Sequence, residues 1–262
     1  MNKVIFLPAL TSLLLTCATS PLDRSQVTLY SEEEMAQQGE QAYRQMRQEL
    51  PVSQNQRQIQ YVQCVADYVV AALSQEQRDN NQWEVTVFDN ESANAFALPG
   101  GKIGVYNGLL DVAVNQDQLA TVMAHEVGHV IANHSNERAS QSTLRNVGLV
   151  AAQVLGASNA TIEAIDYGTQ LGLFLPFNRT QESEADVIGL MLMAEAGFNP
   201  EQSITLWQNM NAVGGSRPPE FLSTHPSPDS RIDELSRMMP AAKQLQQQAR
   251  NQGINPDCSY RR

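Results

Sequence analysis

The sequence predicts an α+β domain that is mainly helical, with a small β-sheet preceding a central apolar helix. Apolar residues recur at helical spacing over most of the chain, whereas a stretch between about 83 and 106 alternates as strands do. No internal repeat or linker interrupts residues 31–243, so one domain is expected there. At 262 residues, 42% hydrophobic and 17% charged, the chain has the composition of a globular protein with its own core.

The charge balance excludes one class of partner. The chain carries 28 acidic and 17 basic side chains, a formal net charge of −11. Because such a surface repels phosphate backbones, we expect no nucleic-acid partner.

The amino terminus resembles a bacterial lipoprotein signal. Residues 1–16 combine Lys3 with a short apolar run, which indicates an export signal rather than a membrane span. The resemblance implies cleavage before Cys17 and acylation of that cysteine, and Ala18 after it implies sorting to the outer membrane. An ordinary cleaved signal with an incidental cysteine is the alternative. We expect a periplasmic protein, anchored by lipid, in which residues 17–30 form a tether.

The remaining elements follow from capping signals and periodicity. Ser31 and Glu34 form a capping-box pattern that predicts a helix through about residue 50. The further predicted elements are a helix at 55–74, strands at 83–87, 94–98 and 102–106, helices at 117–134, 180–196 and 199–214, a short helix from 227, and a polar tail at 244–262. The apolar segments 147–155 and 171–177 are too short to span a bilayer and predict either buried core helices or a lid.

The cysteine count predicts one disulfide. With Cys17 acylated, Cys64 and Cys258 remain as a pair in an oxidising compartment. Two free thiols are the alternative.

The motif that carries chemistry is HExxH at residues 125–129. His125 and His129 lie at i and i+4 on one face of a helix, so both imidazoles can reach one zinc ion. Glu126 projects beside them and can take a proton from water at the metal. An exposed polar helix turn fits less well, because this helix is strongly apolar and burying unpaired polar groups is costly.

Catalytic zinc requires a third protein ligand, and three candidates follow the motif. His134 is five residues past His129, which rotates it off the ligand face of a continuous helix, so it is expected at the surface or behind a ligand. His225 and the acidic cluster 182–186 remain. In that cluster Glu182 and Asp186 share a helix face, so one carboxylate can bind zinc while the other orients a histidine.

Three motifs together resemble a known family. HEVGHVIANH, ESEAD and THPSPDSRI occur in the order found in the zinc metallopeptidases of the HtpX, BepA and LoiP type, relatives of the CaaX prenyl protease. The resemblance implies a zincin-like domain over 31–243 with one Zn²⁺, held by His125, His129 and Glu182, with Asp186 closing the acidic motif. The short lipid-anchored periplasmic members, LoiP above all, match this chain best.

The same resemblance assigns roles to two other segments. Residues 94–108 resemble the strand pair ahead of the zinc helix, whose edge at Asn94, Ala95, Phe96 and Ala97 can bind an extended substrate; a plain supporting hairpin is the alternative. In THPSPDSRI the resemblance brings His225 near zinc, either as a fourth ligand that closes a latent site or as an oxyanion stabiliser. Arg231 is expected either to assist there or to form a structural salt bridge.

These expectations lead to two main functional hypotheses, and a purely structural zinc site, in which Glu126 has no use, is a third. The first is a zinc metalloendopeptidase in which Glu126 acts as general base and His225 or Arg231 steadies the oxyanion, with unfolded or misfolded envelope proteins as substrates. The second is a chaperone or assembly factor for outer-membrane proteins, whose zinc site is latent behind His225. Association with the outer-membrane assembly machinery or with other envelope proteases is expected under either.

Overall fold

The computed structural model describes residues 17–154, 175–213, 221, 225 and 230–258. The export signal at 1–16, most of the apolar segment 171–177 and the expected start of the last helix at 227 lie outside the described residues. The described elements, in chain order, are β1 (Cys17–Thr19), β2 (Ser25–Val27), α1 (Glu32–Glu49), α2 (Gln56–Ala71), α3 (Gln75–Asp79), β3 (Glu84–Phe88), β4 (Ala95–Leu98), β5 (Lys102–Tyr106), α4 (Leu109–Val112), α5 (Gln116–Ile131), α6 (His134–Val154), α7 (Leu175–Glu195), α8 (Glu201–Val213) and α9 (Arg231–Asn251). This order confirms the predicted α+β class.

The small sheet lies directly before the motif helix, as predicted. It has three strands in the order β3-β5-β4, with β3 parallel and β4 antiparallel to β5. Gly100 and Gly101 connect β4 to β5 with φ angles of 83° and 85°, a region that glycine adopts without steric cost. Within the described residues β4 forms one edge of this sheet, and it packs against α5.

The core of the domain is built around α5 and α7, which pack closely against each other. Two glycines face this contact. A Cβ on Gly189 of α7 would lie 2.8 Å from the backbone nitrogen of His125, and one on Gly128 of α5 would lie 3.2 Å from the carbonyl oxygen of Ala185. The absence of side chains at these two positions therefore lets the HExxH helix and the helix of the acidic motif approach within backbone contact.

The start of the described chain is more ordered than a simple tether. β1 and β2 pair as a two-stranded antiparallel sheet, and the side chain of Arg24 contacts Glu137 of α6 and Glu184 of α7. Each strand has three residues, too few to reveal an alternating pattern. Their position depends on contacts distant in sequence, which local patterns cannot reveal.

Two helices differ in extent from the sequence-based expectation. α9 continues as one helix from Arg231 to Asn251 through Pro240, so the expected short helix and part of the expected tail form a single element. α6 is also a long helix, and Val147, Val150 and Val154 on it are exposed. No helix among the described residues combines the length and the apolar character needed to cross a membrane.

The predicted disulfide is confirmed. Cys64 in α2 is bonded to Cys258, which follows α9 and is buried. Next to it, Gln116 at the start of α5 accepts a hydrogen bond from the Cys258 amide and donates one to the carbonyl of Pro256. The end of the described chain is thus attached to the core.

Candidate metal centre

The first part of the site is one face of α5. The helix begins after Asn115, whose side chain accepts a hydrogen bond from the Gln118 amide, and it carries His125, Glu126 and His129 into the core. All three side chains are buried. The Nε2 atoms of His125 and His129 are 3.1 Å apart, so the two rings point at the same place.

The second part of the site comes from α7 and from residue 225. Glu182, which is fully buried, places Oε2 3.4 Å from His125 Nε2 and Oε1 3.4 Å from His129 Nε2. His225 Nδ1 lies 3.1 Å from Glu182 Oε1 and 3.4 Å from His125 Nε2. One donor atom from each of these four residues lies within 4.8 Å of the other three.

The spacing of these donors fits a tetrahedral zinc site. Nitrogen and oxygen ligands that surround one zinc ion at about 2.0–2.1 Å lie about 3.3 Å from each other. Five of the six residue pairs have donor atoms 3.1–3.4 Å apart, close to this value, with Glu182 reaching His125 through Oε2 and the other two histidines through Oε1. Burial raises the pKa of Glu182, but hydrogen bonds with His125 and His225 outweigh it and hold that pKa well below its usual range. An ionised carboxylate with imidazole nitrogens is a donor set that zinc prefers.

Glu126 lies beside this donor set. Its Oε1 atom is 3.3 Å from His225 Nε2, yet it accepts no hydrogen bond from any described residue. The backbone N–H of Ala97 in β4 faces the same carboxylate and lowers its pKa in part. Burial raises the pKa of Glu126, although the nearby rings of His225 and His125 lower it in part. A buried carboxylate with a raised pKa and a free lone pair is suited to take a proton from water.

Asp186 and Arg231 support the ligands from one side. Asp186 Oδ1 is 2.9 Å from His125 Nδ1, and Arg231 donates hydrogen bonds to Asp186 and, at 3.1 Å, to Glu182 Oε2. The guanidinium of Arg231 also lies 3.9 Å above the ring of Trp207. Because Arg231 is only 1% exposed and bound to two carboxylates, its geometry favours the salt-bridge role over oxyanion binding.

Residues 94–97 lie next to this site. The Asn94 carbonyl accepts from the Tyr106 amide, and its side chain accepts from the Ala95 amide. The Phe96 ring covers Gly104 of β5, where a Cβ would lie 2.1 Å from it. The side chains of Asn94 and Phe96 therefore stabilise the sheet, while the main chain at Ala97 contacts Glu126.

His134 behaves differently from a surface residue. It is 1% exposed, and its Nδ1 atom lies 2.8 Å from His129 Nδ1. Its Nε2 atom lies 3.1 Å from Glu184, which in turn accepts a hydrogen bond from Arg24. His134 therefore lies behind a ligand, the second of the two expected positions, and it reaches His129 because α5 ends at Ile131 and α6 begins at His134. Sequence reasoning missed Glu184 and Arg24, whose only signals were their positions in the acidic motif and in the polar stretch after Cys17.

Comparison with known proteins supports this description. The profile of Peptidase family M48 matches residues 55–239. The mitochondrial metalloendopeptidase OMA1 of Saccharomyces cerevisiae is 35% identical over 234 residues, which cover 83% of this chain and 64% of the relative. The human metalloendopeptidase OMA1 is 33% identical over 67% of this chain and 36% of its own length. The beta-barrel assembly-enhancing protease of Escherichia coli K12 is 32% identical over 75% of this chain and 42% of its own length.

The chain thus spans less than two-thirds of the length of these relatives. The family match nevertheless covers well over half of the chain and contains the HExxH helix, the acidic motif and Arg231. The chain therefore belongs to Peptidase family M48, which confirms the metallopeptidase class and the zinc cofactor predicted from its motifs.

Proposed function

We propose that this protein is a zinc metalloendopeptidase of the bacterial cell envelope that hydrolyses peptide bonds of unfolded or misfolded envelope proteins. The observation that carries the proposal is the position of Glu126 between two features. On one side are the donors of His125, His129 and Glu182, and on the other is the edge strand β4. General base, metal site and peptide-binding edge are the three parts that metal-assisted peptide hydrolysis requires.

The residues of this chain have distinct tasks in the reaction. When bound by His125, His129 and Glu182, zinc supplies a Lewis acid that acidifies water and polarises the scissile carbonyl. Glu126 takes the proton of the attacking water on its free oxygen and delivers it to the nitrogen of the leaving amine. Burial raises the pKa of Glu126 toward neutral pH, which favours both the uptake and the release of the proton.

The β4 edge supports a preference for extended chains. An extended peptide that pairs with β4 is held through main-chain groups. Binding therefore depends little on the sequence of the peptide and requires that the peptide be unfolded. Folded proteins seldom offer a free extended segment, so unfolded proteins are the proposed substrates.

The proposed location rests on the amino terminus. A lipid on Cys17 would attach the domain to the periplasmic face of the outer membrane, where envelope proteins fold. The name of the Escherichia coli relative refers to β-barrel assembly, which supports an association with the outer-membrane assembly machinery or other envelope proteases. The closer kinship with LoiP stays a prediction.

The test of the main proposal is cleavage of an unfolded protein. Purified protein is incubated with casein, and its zinc content is measured on the same sample. We expect one zinc per chain and cleavage by the wild type, while Glu126→Gln keeps the zinc but loses activity by several orders of magnitude because the general base is missing. Activity retained by Glu126→Gln would contradict the role of Glu126.

The position of His225 favours a second function. Its Nδ1 atom lies among the donors as a fourth ligand, and the amide of Phe221 donates to the carbonyl of Ala93 just before β4. His225 in this fourth position supports a latent protease that acts mainly as a chaperone or assembly factor. We expect His225→Ala to raise casein cleavage if His225 closes the site. A loss of cleavage would instead make His225 catalytic.

A further inference from the structure

The second ring nitrogen of His129 has an unusual partner. His129 Nε2 points to the donor set, while its Nδ1 atom lies 2.8 Å from Nδ1 of His134. A histidine that binds zinc through Nε2 is neutral and carries its proton on Nδ1. This proton must therefore be donated to His134, whose Nδ1 must accept. This step rests on the proposed zinc site.

The contact beyond His134 agrees with that direction. Its Nε2 atom lies 3.1 Å from Glu184 Oε2, and an ionised carboxylate only accepts hydrogen bonds. The proton of His134 is thus on Nε2, and its Nδ1 is free to accept from His129. His129 and His134 each have one defined tautomer. The hydrogen bonds therefore run in one direction, from His129 to His134 and from His134 to Glu184.

Arg24 fixes the far end of this chain. Its Nε donates to Glu184 Oε2 at 2.8 Å, and its two terminal nitrogens donate to the carboxylate of Glu137 at 2.7 and 2.8 Å. Gln26 and Gln181 also donate to Glu137, and Gln26 donates to the carbonyl of Ala132 at the end of α5. One arginine between β1 and β2 therefore ties α6 to α7 immediately beside His134.

The backbone between α5 and α6 places His134 in this position. In one continuous helix, residues 129 and 134 would be rotated by roughly 140° from each other, since each residue adds about 100°. Here Asn133 has a φ angle of 54°, in the left-handed region that asparagine tolerates. The chain turns at this residue, and the first side chain of α6 returns to the ring of His129.

We propose that His134, held by Glu184 and Arg24, is a positioning residue that sets the tautomer and ring orientation of His129 for zinc. The hairpin of β1 and β2 is then part of the metal site rather than a spacer. The arrangement parallels that of His125, whose second nitrogen faces Asp186 and then Arg231. Both histidines of the motif are thus supported by an acidic group and an arginine. For His129, however, His134 lies between the zinc-binding ring and the acidic group.

The test measures zinc affinity directly, without relying on catalysis. The zinc dissociation constant of the full chain is determined by competition with a chromogenic chelator, and the thermal stability of the metal-free protein is measured beside it. Loss of an outer partner of a zinc-bound histidine weakens metal binding by about 10–100-fold, and we expect this for His134→Leu. His134→Asn keeps an acceptor at the position of Nδ1 and should restore much of the affinity. Arg24→Gln should weaken binding by a smaller factor, while Arg44→Ala, an exposed arginine paired with Glu40 in α1, serves as the matched control.

Each outcome decides the inference. Wild-type affinity in His134→Leu would overturn it, and so would equal weakening by Leu and Asn, which would mark a packing effect. If His134→Leu does not fold, the other two variants decide. Weak zinc binding by His134→Asn together with wild-type zinc affinity in Arg24→Gln would contradict the hydrogen-bond chain. If the wild type binds no zinc, the proposed function fails together with the inference, whereas a wild type that binds zinc isolates the role of His134.

Discussion

Two arginines near the metal site make similar contacts in different surroundings. Arg231 is 1% exposed, lies against Trp207 and binds Asp186 and Glu182. The side chain of Arg24 is 19% exposed and binds Glu137 and Glu184. Because each arginine is bound to two carboxylates, removing either would take away positive charge that compensates buried negative charges, which is costly. Both arginines are thus important to the fold as well as to the site.

Stability at low pH should report on the pair formed by Arg24 and Glu137. Burial raises the pKa of Glu137, but hydrogen bonds from Arg24 and Gln181 outweigh it, so its pKa lies below the ordinary value of 4.5. A carboxyl whose pKa is lower in the folded protein stabilises the fold above its unfolded pKa, and this contribution is lost as the pH falls through the folded pKa. We expect the free energy of unfolding of the wild type to decrease more steeply below about pH 4.5 than that of Glu137→Gln.

Urea denaturation at a series of pH values tests this expectation. Glu49→Gln, which changes an exposed carboxylate at the end of α1, is the control and should follow the wild-type profile. Parallel profiles for the wild type and Glu137→Gln would show that Arg24 does not stabilise the ionised form.

At the level of elements, the contact between α5 and α7 determines whether the ligands meet. The HExxH motif fixes the spacing of His125 and His129 within one helix, but Glu182 reaches them only because α7 packs at backbone distance. Gly189 lies four residues after Ala185, so both face α5 near the ligands. The small residues on this face are therefore as much a part of the site as its donors.

Substitution of Gly189 should disturb both fold and metal. In Gly189→Ala the new Cβ would lie 2.8 Å from the backbone nitrogen of His125 and 2.9 Å from its Cα, so the helices must separate. Overpacking of this kind costs about 1–3 kcal/mol, and we expect a lower free energy of unfolding together with weaker zinc binding. Chemical denaturation and chelator competition measure the two effects.

Gly148 offers a control for the same substitution. It lies in α6, where an added Cβ meets no atom within 4 Å. Gly148→Ala should leave zinc affinity unchanged and raise stability by up to about 1 kcal/mol, since alanine favours the helix. If both variants behaved alike, the close approach at Gly189 would not matter.

Across the whole molecule, patterns within one element were predictable and contacts between elements were less so. The capping box at Ser31 and the strands on either side of Gly100 were predicted because their signals are local. The HExxH motif revealed His125 and His129 for the same reason. In contrast, His134 follows a single left-handed residue, Asn133, and Arg24 between β1 and β2 contacts carboxylates more than a hundred residues away.

The disulfide is the long-range contact that the cysteine count did predict, and its energetic role can be tested. Cys64 and Cys258 are 194 residues apart, so the bond restricts the unfolded chain strongly and should contribute about 2–5 kcal/mol to stability. We expect the double variant Cys64→Ala, Cys258→Ala to unfold at lower denaturant concentration while still binding one zinc, because the tail contacts the start of α5 and not its HExxH end. Chemical denaturation with and without a thiol reductant measures the effect, and the reductant should destabilise only the wild type. If the reductant left the wild type unchanged, other contacts, such as those of Gln116, would be sufficient to hold the end of the chain.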